Sequence, residues 1–140
     1  MTPKPLLEEN ITRSVIAGFF EVYNTLGYGF FENNYKLAME HELTLRGHVV
    51  RREVPVQVPY KGVCVGTYRN DMVIDGKVIV EVKSTESIPL SAQRQLWNYL
   101  CASTIDVGLL LHFGPKPKFY RQVADWRNRP ARPPLDPSNP

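Results

Sequence analysis

The stretch from Tyr68 to Lys83 constrains the fold more than any other part of the chain. It reads as two β-strands joined at Asp75-Gly76, and the second strand is almost uniformly β-branched. A strand that is apolar on both faces belongs at the centre of a covered sheet. Yet this strand ends in Glu81 and Lys83, and Asp71 lies on the strand before it. Because an unpaired buried charge is costly, these charges need a partner, and a metal ion is one candidate.

The periodicity of apolar residues on either side of this stretch predicts an α/β fold. The predicted elements are, in order, helices over residues 11–26 and 31–46, strands over 49–60, 63–74 and 77–83, a helix over 91–102, and strands over 107–113 and 119–123. The third helix joins two apolar strands, so they should lie parallel through a right-handed crossover. The order α-α-β-β-β-α-β-β predicts a central mixed β-sheet flanked by helices.

The length of 140 residues, with 43% hydrophobic and 22% charged residues, predicts one globular domain. Its expected bounds are residues 1–126. Residues 127–140 hold five prolines and three arginines with almost no large apolar side chain, and we expect a disordered tail there. The chain starts without a signal-peptide pattern and contains no apolar run of transmembrane length, so a cytoplasmic protein with no membrane span is expected.

The positive charge of the chain is concentrated in the tail. The formal net charge is +3, and three arginines against one aspartate in residues 127–140 leave only +1 for the rest. A net charge this small excludes a broadly positive protein surface, so any nucleic-acid binding must come from a local basic patch.

The turn at Asp75-Gly76 decides whether Asp71 can meet the charges on the next strand. Glu81 and Lys83 are two residues apart and therefore share a face. A two-residue turn would pair Asp71 with Val80 and would put Asp71 and Glu81 on opposite faces. A three-residue connection, such as a type I turn with Gly76 as the left-handed residue of a bulge, would bring both carboxylates together. We predict this longer connection or a nearby bulge.

Two carboxylates that converge at the end of a buried strand repel each other unless a cation lies between them. Oxygen ligands favour Mg²⁺ or Mn²⁺, and such an ion can activate water and polarise a phosphoryl oxygen. A lysine alongside can stabilise charge on the phosphate. Asp71, Glu81 and Lys83 therefore favour phosphodiester hydrolysis. The alternative is that Glu81 and Lys83 form a solvated ion pair at the strand end, and spacing alone does not separate the two.

Two helical residues lie on faces that can reach this site. Glu32 shares a face with Tyr35 and Met39 near the start of the second helix. It either complements the helix dipole or directs a carboxylate between helix and sheet. Gln95 and Tyr99 are four residues apart and share a face of the third helix.

Three motifs in this order resemble the PD-(D/E)XK nuclease superfamily. The D and E-x-K signature of this superfamily is resembled by Asp71 and, after nine further residues, by Glu81-Val82-Lys83. Asn70 stands at the position at which the superfamily name has proline. The segment 29–35, Gly-Phe-Phe-Glu-Asn-Asn-Tyr, is similar to the motif of the GxxExxY family. The segment 95–99, Gln-Leu-Trp-Asn-Tyr, is similar to the Q-x-x-x-Y helix of RecB-like members. The resemblance covers about residues 10–124 and implies a restriction-endonuclease-like core.

The resemblance implies a role for each charged residue of the site. Asp71 and Glu81 would hold Mg²⁺ or Mn²⁺, with the carbonyl of Val82 as a further ligand. Lys83 would be the catalytic lysine. Glu32 would complete the metal site, directly or through water.

Four further residues are expected near the substrate. The resemblance implies that Gln95 acts near the catalytic lysine or the substrate phosphate, with Tyr99 one turn on. Tyr99 and Tyr35 are candidates for substrate contact, although core packing is the favoured interpretation of both side chains. Arg69 is a candidate for phosphate contact, although short basic segments are commonly solvated.

Three functions remain open at this stage. The first is a metal-dependent nuclease that acts on nucleic acid, with DNA favoured over RNA. The second is a catalytically silent nucleic-acid-binding or regulatory module, and the third is a protein-interaction domain with structural charges. The intact set of Asp71, Glu81 and Lys83 favours the first, whereas the low charge of the folded part opposes it. A homodimer, a partner or the tail could supply the missing surface.

Overall fold

The computed structural model describes residues 7–124, so the expected tail at 127–140 lies outside the described residues. The elements within this range are α1 (Glu9–Leu26), α2 (Glu32–Leu45), β1 (Val50–Tyr60), β2 (Val63–Ile74), β3 (Val78–Lys83), α3 (Leu90–Ala102), β4 (Val107–Phe113) and β5 (Pro117–Val123). This is the predicted order, and each predicted boundary lies within two residues of the observed one.

The five strands form one mixed sheet in the order β1-β2-β3-β4-β5. The pair β3–β4 is parallel, and the other three neighbouring pairs are antiparallel. The parallel pair follows from the crossover through α3, because a tight hairpin can join only antiparallel strands. Every residue of β4 is buried, and so is every residue of β3 except Lys83. This confirms the central position that their uninterrupted apolar sequences predicted.

Helices cover both faces of the sheet and create two cores. On one face, α1 and α2 bury side chains such as Phe19 and Met39 against Val80. On the other face, α3 buries Leu96 and Leu100 among apolar side chains of β2, β3 and β4. The α/β fold with a restriction-endonuclease-like core is therefore confirmed. No helix within residues 7–124 has the length and apolar character needed to cross a membrane.

The β2–β3 connection has the predicted length. Ile74 pairs with Val78, so three residues separate the paired ends of the two strands. If this register is continued by one residue beyond the pair Met72–Val80, Asp71 lies opposite Glu81. The strand register that would have placed these carboxylates on opposite faces is thus absent from this hairpin.

The conformation of the connection differs from the expected type I turn. Asp75 and Gly76 have φ angles of 54° and 68°, and the amide of Lys77 donates to the carbonyl of Ile74 at 3.0 Å. Two consecutive positive φ angles are typical of a type I′ turn, whose twist matches that of the flanking strands. The type I expectation was wrong because Asp75, like Gly76, adopts the left-handed region that aspartate tolerates better than most residues.

Asp75 also ties this turn to the neighbouring elements. Its Oδ2 lies 2.6 Å from Nδ1 of His48, and its Oδ1 accepts the amide of Val49 at 2.8 Å. Nε2 of His48 lies 2.7 Å from the hydroxyl of Ser14 on α1. The residue that sets the hairpin register is therefore anchored to α1 and to the start of β1.

We expect Asp75→Ala to destabilise the protein by about 1–3 kcal/mol at pH 7, because His48 and the Val49 amide lose their acceptor. Partial burial acts to raise the pKa of Asp75, but its hydrogen bonds to His48 and Val49 lower it below the ordinary 3.8. A depressed carboxyl pKa stabilises the folded state above the ordinary pKa, and this contribution is lost as pH falls through the folded pKa. Urea unfolding should therefore show a smaller difference at pH 3 than at pH 7. Glu86→Ala, which removes an exposed carboxylate from another loop, is the control.

Candidate active site

Asp71 and Glu81 lie where the backbones of β2 and β3 stop pairing. The last backbone pair is Met72 with Val80. Beyond it the side chains accept the free amides of the opposite strand. The amide of Asp71 donates to Oε1 of Glu81 at 2.9 Å, and the amide of Val82 donates to Oδ2 of Asp71 at 2.7 Å. Each carboxylate is thus fixed on the backbone of the partner strand, and the two face each other across the gap.

β2 is irregular at Asp71. Strict alternation would place Tyr68 and Met72 on the same face of the sheet. Instead the Tyr68 ring lies 5.8 Å from the Tyr99 ring of α3, whereas Met72 packs in the core beneath α1 and α2. On β1, Glu53 lies between the partners of Asn70 and Met72 and has a φ angle of 52°. This local change of face directs the side chain of Asp71 toward β3.

Glu81 is unstable as an anion in this position. Its side chain is only 3% exposed, and the carboxylate of Asp71 lies beside it. Burial, followed by the charge of Asp71, raises the pKa of Glu81 to about 9, although the charge of Lys83 acts in the opposite direction. At neutral pH Glu81 therefore holds a proton unless a further cation approaches.

The ammonium of Lys36 on α2 provides one cation at the site. Its Nζ lies 2.9 Å from Oδ1 of Asp71 and 3.1 Å from Oε2 of Glu32. Burial acts to lower the pKa of Lys36, but the two carboxylates more than offset this and raise it above its usual value. Sequence reasoning missed this residue. The available signal was its position four residues after Glu32, which puts both side chains on one helix face.

Lys83 completes the charged group at the end of β3. It is half-buried and lies two residues after Glu81, on the same face of the strand. Among residues 7–124 no carboxylate lies within ion-pair distance of its ammonium, so the solvated Glu81–Lys83 ion pair is not formed. This ammonium is therefore available to a bound anion.

Gln95 and Tyr99 approach the carboxylates from α3. The Tyr99 hydroxyl donates to the carbonyl of Arg69 at 3.2 Å, and the side chain of Gln95 donates to the Tyr99 oxygen. Burial, then the charges of Glu81 and Asp71, raise the pKa of Tyr99 to about 12. Tyr99 is only 3% exposed, whereas the side chain of Arg69 is exposed. The structure thus brings Tyr99 close to the carboxylate pair and leaves Gln95 bound to Tyr99.

Comparison with known proteins identifies the superfamily of the chain. A model of the PD-(D/E)XK nuclease superfamily matches residues 9–123. The chain belongs to this superfamily. A search of curated proteins finds no match. A solved structure described as "Crystal structure of SSO0001" is similar, with a TM-score of 0.49 and 20% sequence identity. The match covers 83% of this chain and 58% of that chain, so the present chain spans little more than half of that relative.

PD-(D/E)XK nucleases typically use divalent metal ions, and the donor set at Asp71 and Glu81 fits one. The two carboxylates are held close together, and burial destabilises the anion of Glu81. The ammonium of Lys36 already contacts Asp71. Within residues 7–124, however, no three His, Cys, Asp or Glu side chains converge closely enough to hold a metal. The ammonium of Lys36 contacts both Glu32 and Asp71 and therefore lies between these two carboxylates.

Tyr35 lies in the core of the protein and not on a surface that a substrate could contact. It is fully buried and stacks on Phe113 with 4.2 Å between the ring centroids. Its hydroxyl donates to the carbonyl of Gly27 and accepts the amide of Phe30 at 3.2 Å. This burial favours core packing over direct substrate contact, because no face of this side chain is open. Tyr35 instead fixes the loop that leads into Glu32.

We expect Lys36→Met to strengthen Mn²⁺ binding by about tenfold, because a metal ion must otherwise displace the ammonium from Asp71. Titration calorimetry of the two proteins at pH 7.5 measures this difference. Lys77→Met, which removes an exposed lysine from the β2–β3 connection, should leave the affinity unchanged. An affinity that stays equal or falls in Lys36→Met would show that the ammonium does not compete with the metal.

Proposed function

We propose that this protein hydrolyses phosphodiester bonds of nucleic acid with the aid of Mg²⁺ or Mn²⁺. The observation that supports this most strongly is the pair of carboxylates fixed face to face at the end of β3, with Lys83 on the same side. Asp71, Glu81, the carbonyl of Val82 and Glu32 would hold the metal. When bound, the ion supplies an acidic water and polarises the scissile phosphate.

The protein's own residues have separable parts in this proposal. Glu81 releases its proton as the cation binds, since the pKa of about 9 falls when positive charge approaches. Lys83 stabilises the negative charge that develops on the phosphate. Gln95 is a positioning residue, because it acts through its hydrogen bond to Tyr99. Arg69 is exposed beside this group and contacts a flanking phosphate.

The motifs support a narrower assignment within the superfamily. We propose that the chain is a member of the GxxExxY family, because segment 29–35 resembles that motif, and of the RecB-like branch, because segment 95–99 resembles the Q-x-x-x-Y helix. We propose DNA ahead of RNA as the substrate and the cytoplasm as the site of action. A net charge of +1 over residues 1–126 favours a homodimer, in which two chains would share the phosphate contacts.

A catalytically silent nucleic-acid-binding module is the second candidate. One specific observation favours it, namely that Lys36 contacts Asp71 and Glu32 where a metal would need both carboxylates. If the ammonium is a permanent substitute for the ion, the fold binds nucleic acid without cleaving it.

Cleavage of a substrate panel separates the two candidates. Single-stranded DNA, duplex DNA and RNA are incubated with wild type in Mg²⁺, Mn²⁺ or EDTA. We expect cleavage of at least one substrate with either metal and none in EDTA. If wild type cleaves nothing in any condition and binds no Mn²⁺ by calorimetry, but still binds one of these substrates, the binding module is the better-supported function.

A further inference from the structure

We propose that the cavity between β2 and α3 binds one unpaired nucleobase, so that the site acts on single-stranded nucleic acid. This inference rests on the proposed function and names its substrate class. The cavity has a volume of about 310 Å³ and is lined by Tyr68, Ser91, Arg94, Gln95, Asn98 and Tyr99. Ligand pockets range from about 300 to 1,000 Å³, so this one suits a single small ring system.

The walls of the cavity offer aromatic surfaces for stacking. The rings of Tyr68 and Tyr99 lie 5.8 Å apart and are tilted by 58° to each other. Tyr99 is fixed by its hydrogen bonds to Arg69 and Gln95, whereas Tyr68 is 43% exposed. A planar ring that enters the cavity therefore meets the exposed ring of Tyr68, while the buried ring of Tyr99 supports Tyr68 from behind. Base stacking on an aromatic ring contributes about 5- to 150-fold in affinity and tolerates any sequence.

The polar residues of the cavity suit a base and its phosphate. Ser91, Arg94, Gln95 and Asn98 share one face of α3 through their helical spacing. The hydroxyl and amides can both donate and accept hydrogen bonds, as base edges require. Arg94 adds a positive charge, and none of the lining residues is acidic. This combination favours a neutral aromatic ring attached to an anion.

The cavity adjoins the carboxylate site. The Tyr99 hydroxyl donates a hydrogen bond to the carbonyl of Arg69, which lies two residues before Asp71. Tyr99 also lies close enough to Glu81 and Asp71 for their charges to raise its pKa. A base in the cavity would therefore bring a neighbouring phosphate to the carboxylates. A base inside a duplex cannot enter unless it first leaves the stack. Stacking also explains how a folded part with little net charge can bind nucleic acid.

Binding measurements in a Lys83→Ala background test this proposal without cleavage. Fluorescence anisotropy follows a labelled single-stranded DNA oligonucleotide and the duplex of the same sequence. Tyr68→Ala should weaken binding of the single strand about tenfold or more and leave duplex binding within about twofold. Tyr60→Ala is the matched control, since it removes an exposed tyrosine from the end of β1, and Tyr60 does not line the cavity. It should change neither affinity.

The outcomes separate this inference from the function on which it rests. If wild type cleaves DNA but Tyr68→Ala affects single strand and duplex equally, or behaves like Tyr60→Ala, the base pocket is wrong and the nuclease stands. If wild type cleaves nothing but Tyr68→Ala selectively weakens single-strand binding, the nuclease is wrong and the pocket stands. Failure of the Lys83→Ala protein to bind either oligonucleotide overturns the pocket.

Discussion

Lys83→Ala will lower the rate of phosphodiester cleavage by about 10²–10³-fold and leave Mn²⁺ bound to the protein. The ammonium lies on the face of Glu81 at the end of a buried strand, and within residues 7–124 no carboxylate pairs with it. Under the proposed function its charge therefore acts on the phosphate, because it is not used in a structural ion pair. Because the carboxylates remain in place, the substitution removes stabilisation of the transition state without removing the metal ligands.

Single-turnover cleavage at saturating Mn²⁺ measures this effect, and calorimetry on the same samples measures metal binding. Lys77→Ala is the matched control, because Lys77 is an exposed lysine on the same hairpin. It should cleave at the wild-type rate. A Lys83→Ala protein that cleaves within a few-fold of wild type would remove Lys83 from the mechanism. Equal losses in both variants would indicate a general effect of positive charge.

Glu81→Gln will stabilise the metal-free protein by about 2–4 kcal/mol at pH 7, although it changes a residue of the candidate active site. The pKa of Glu81 is raised from 4.5 to about 9, mainly by burial and then by Asp71. A carboxyl whose pKa rises on folding favours the folded state at low pH. Its contribution to stability falls as pH increases from the ordinary pKa toward the folded pKa. Glutamine remains neutral throughout and can still accept the amide of Asp71.

Urea unfolding in EDTA between pH 4 and pH 8 tests this prediction. The two proteins should have similar stability near pH 4, and the advantage of Glu81→Gln should grow with pH. Asp71→Asn is the informative comparison, because Asp71 accepts the Val82 amide and pairs with Lys36. The Asp71→Asn protein should not be more stable than wild type at pH 7. A Glu81→Gln protein that is less stable than wild type at pH 7 would show that Glu81 is ionised and satisfied without metal.

Much of the fold follows from local sequence patterns. The apolar runs of β3 and β4 required a covered, central pair of strands, and the helix between them required a parallel arrangement. The register of the β2–β3 hairpin followed from chemistry, since Asp71 and Glu81 could meet only across a three-residue connection. The turn conformation could not be predicted in the same way, because Asp75 adopts a positive φ angle while tertiary bonds to His48 and Val49 hold its side chain.

The site was less predictable than the fold, because it depends on contacts between distant elements. The irregularity at Asp71 is visible only when the packing partners of Tyr68 and Met72 are compared. Lys36 joins Glu32 to Asp71 across a separation of 35 residues that no periodicity encodes. The burial of Tyr35 reflects its stacking on Phe113, which is even more remote in sequence. Spacing therefore proposed Asp71, Glu81 and Lys83 as candidates, and only the tertiary structure revealed their neighbours.

The proposed function depends on a divalent cation at Asp71 and Glu81, and Mn²⁺ titration calorimetry of wild type and Asp71→Asn at pH 7.5 measures its binding. We expect one Mn²⁺ per chain in wild type and a loss of affinity of at least about 100-fold in Asp71→Asn, because the variant lacks one anionic ligand. Binding should also release a proton, since Glu81 must ionise. If wild type binds no Mn²⁺, or if Asp71→Asn binds it equally well, no functional metal site lies at Asp71 and Glu81.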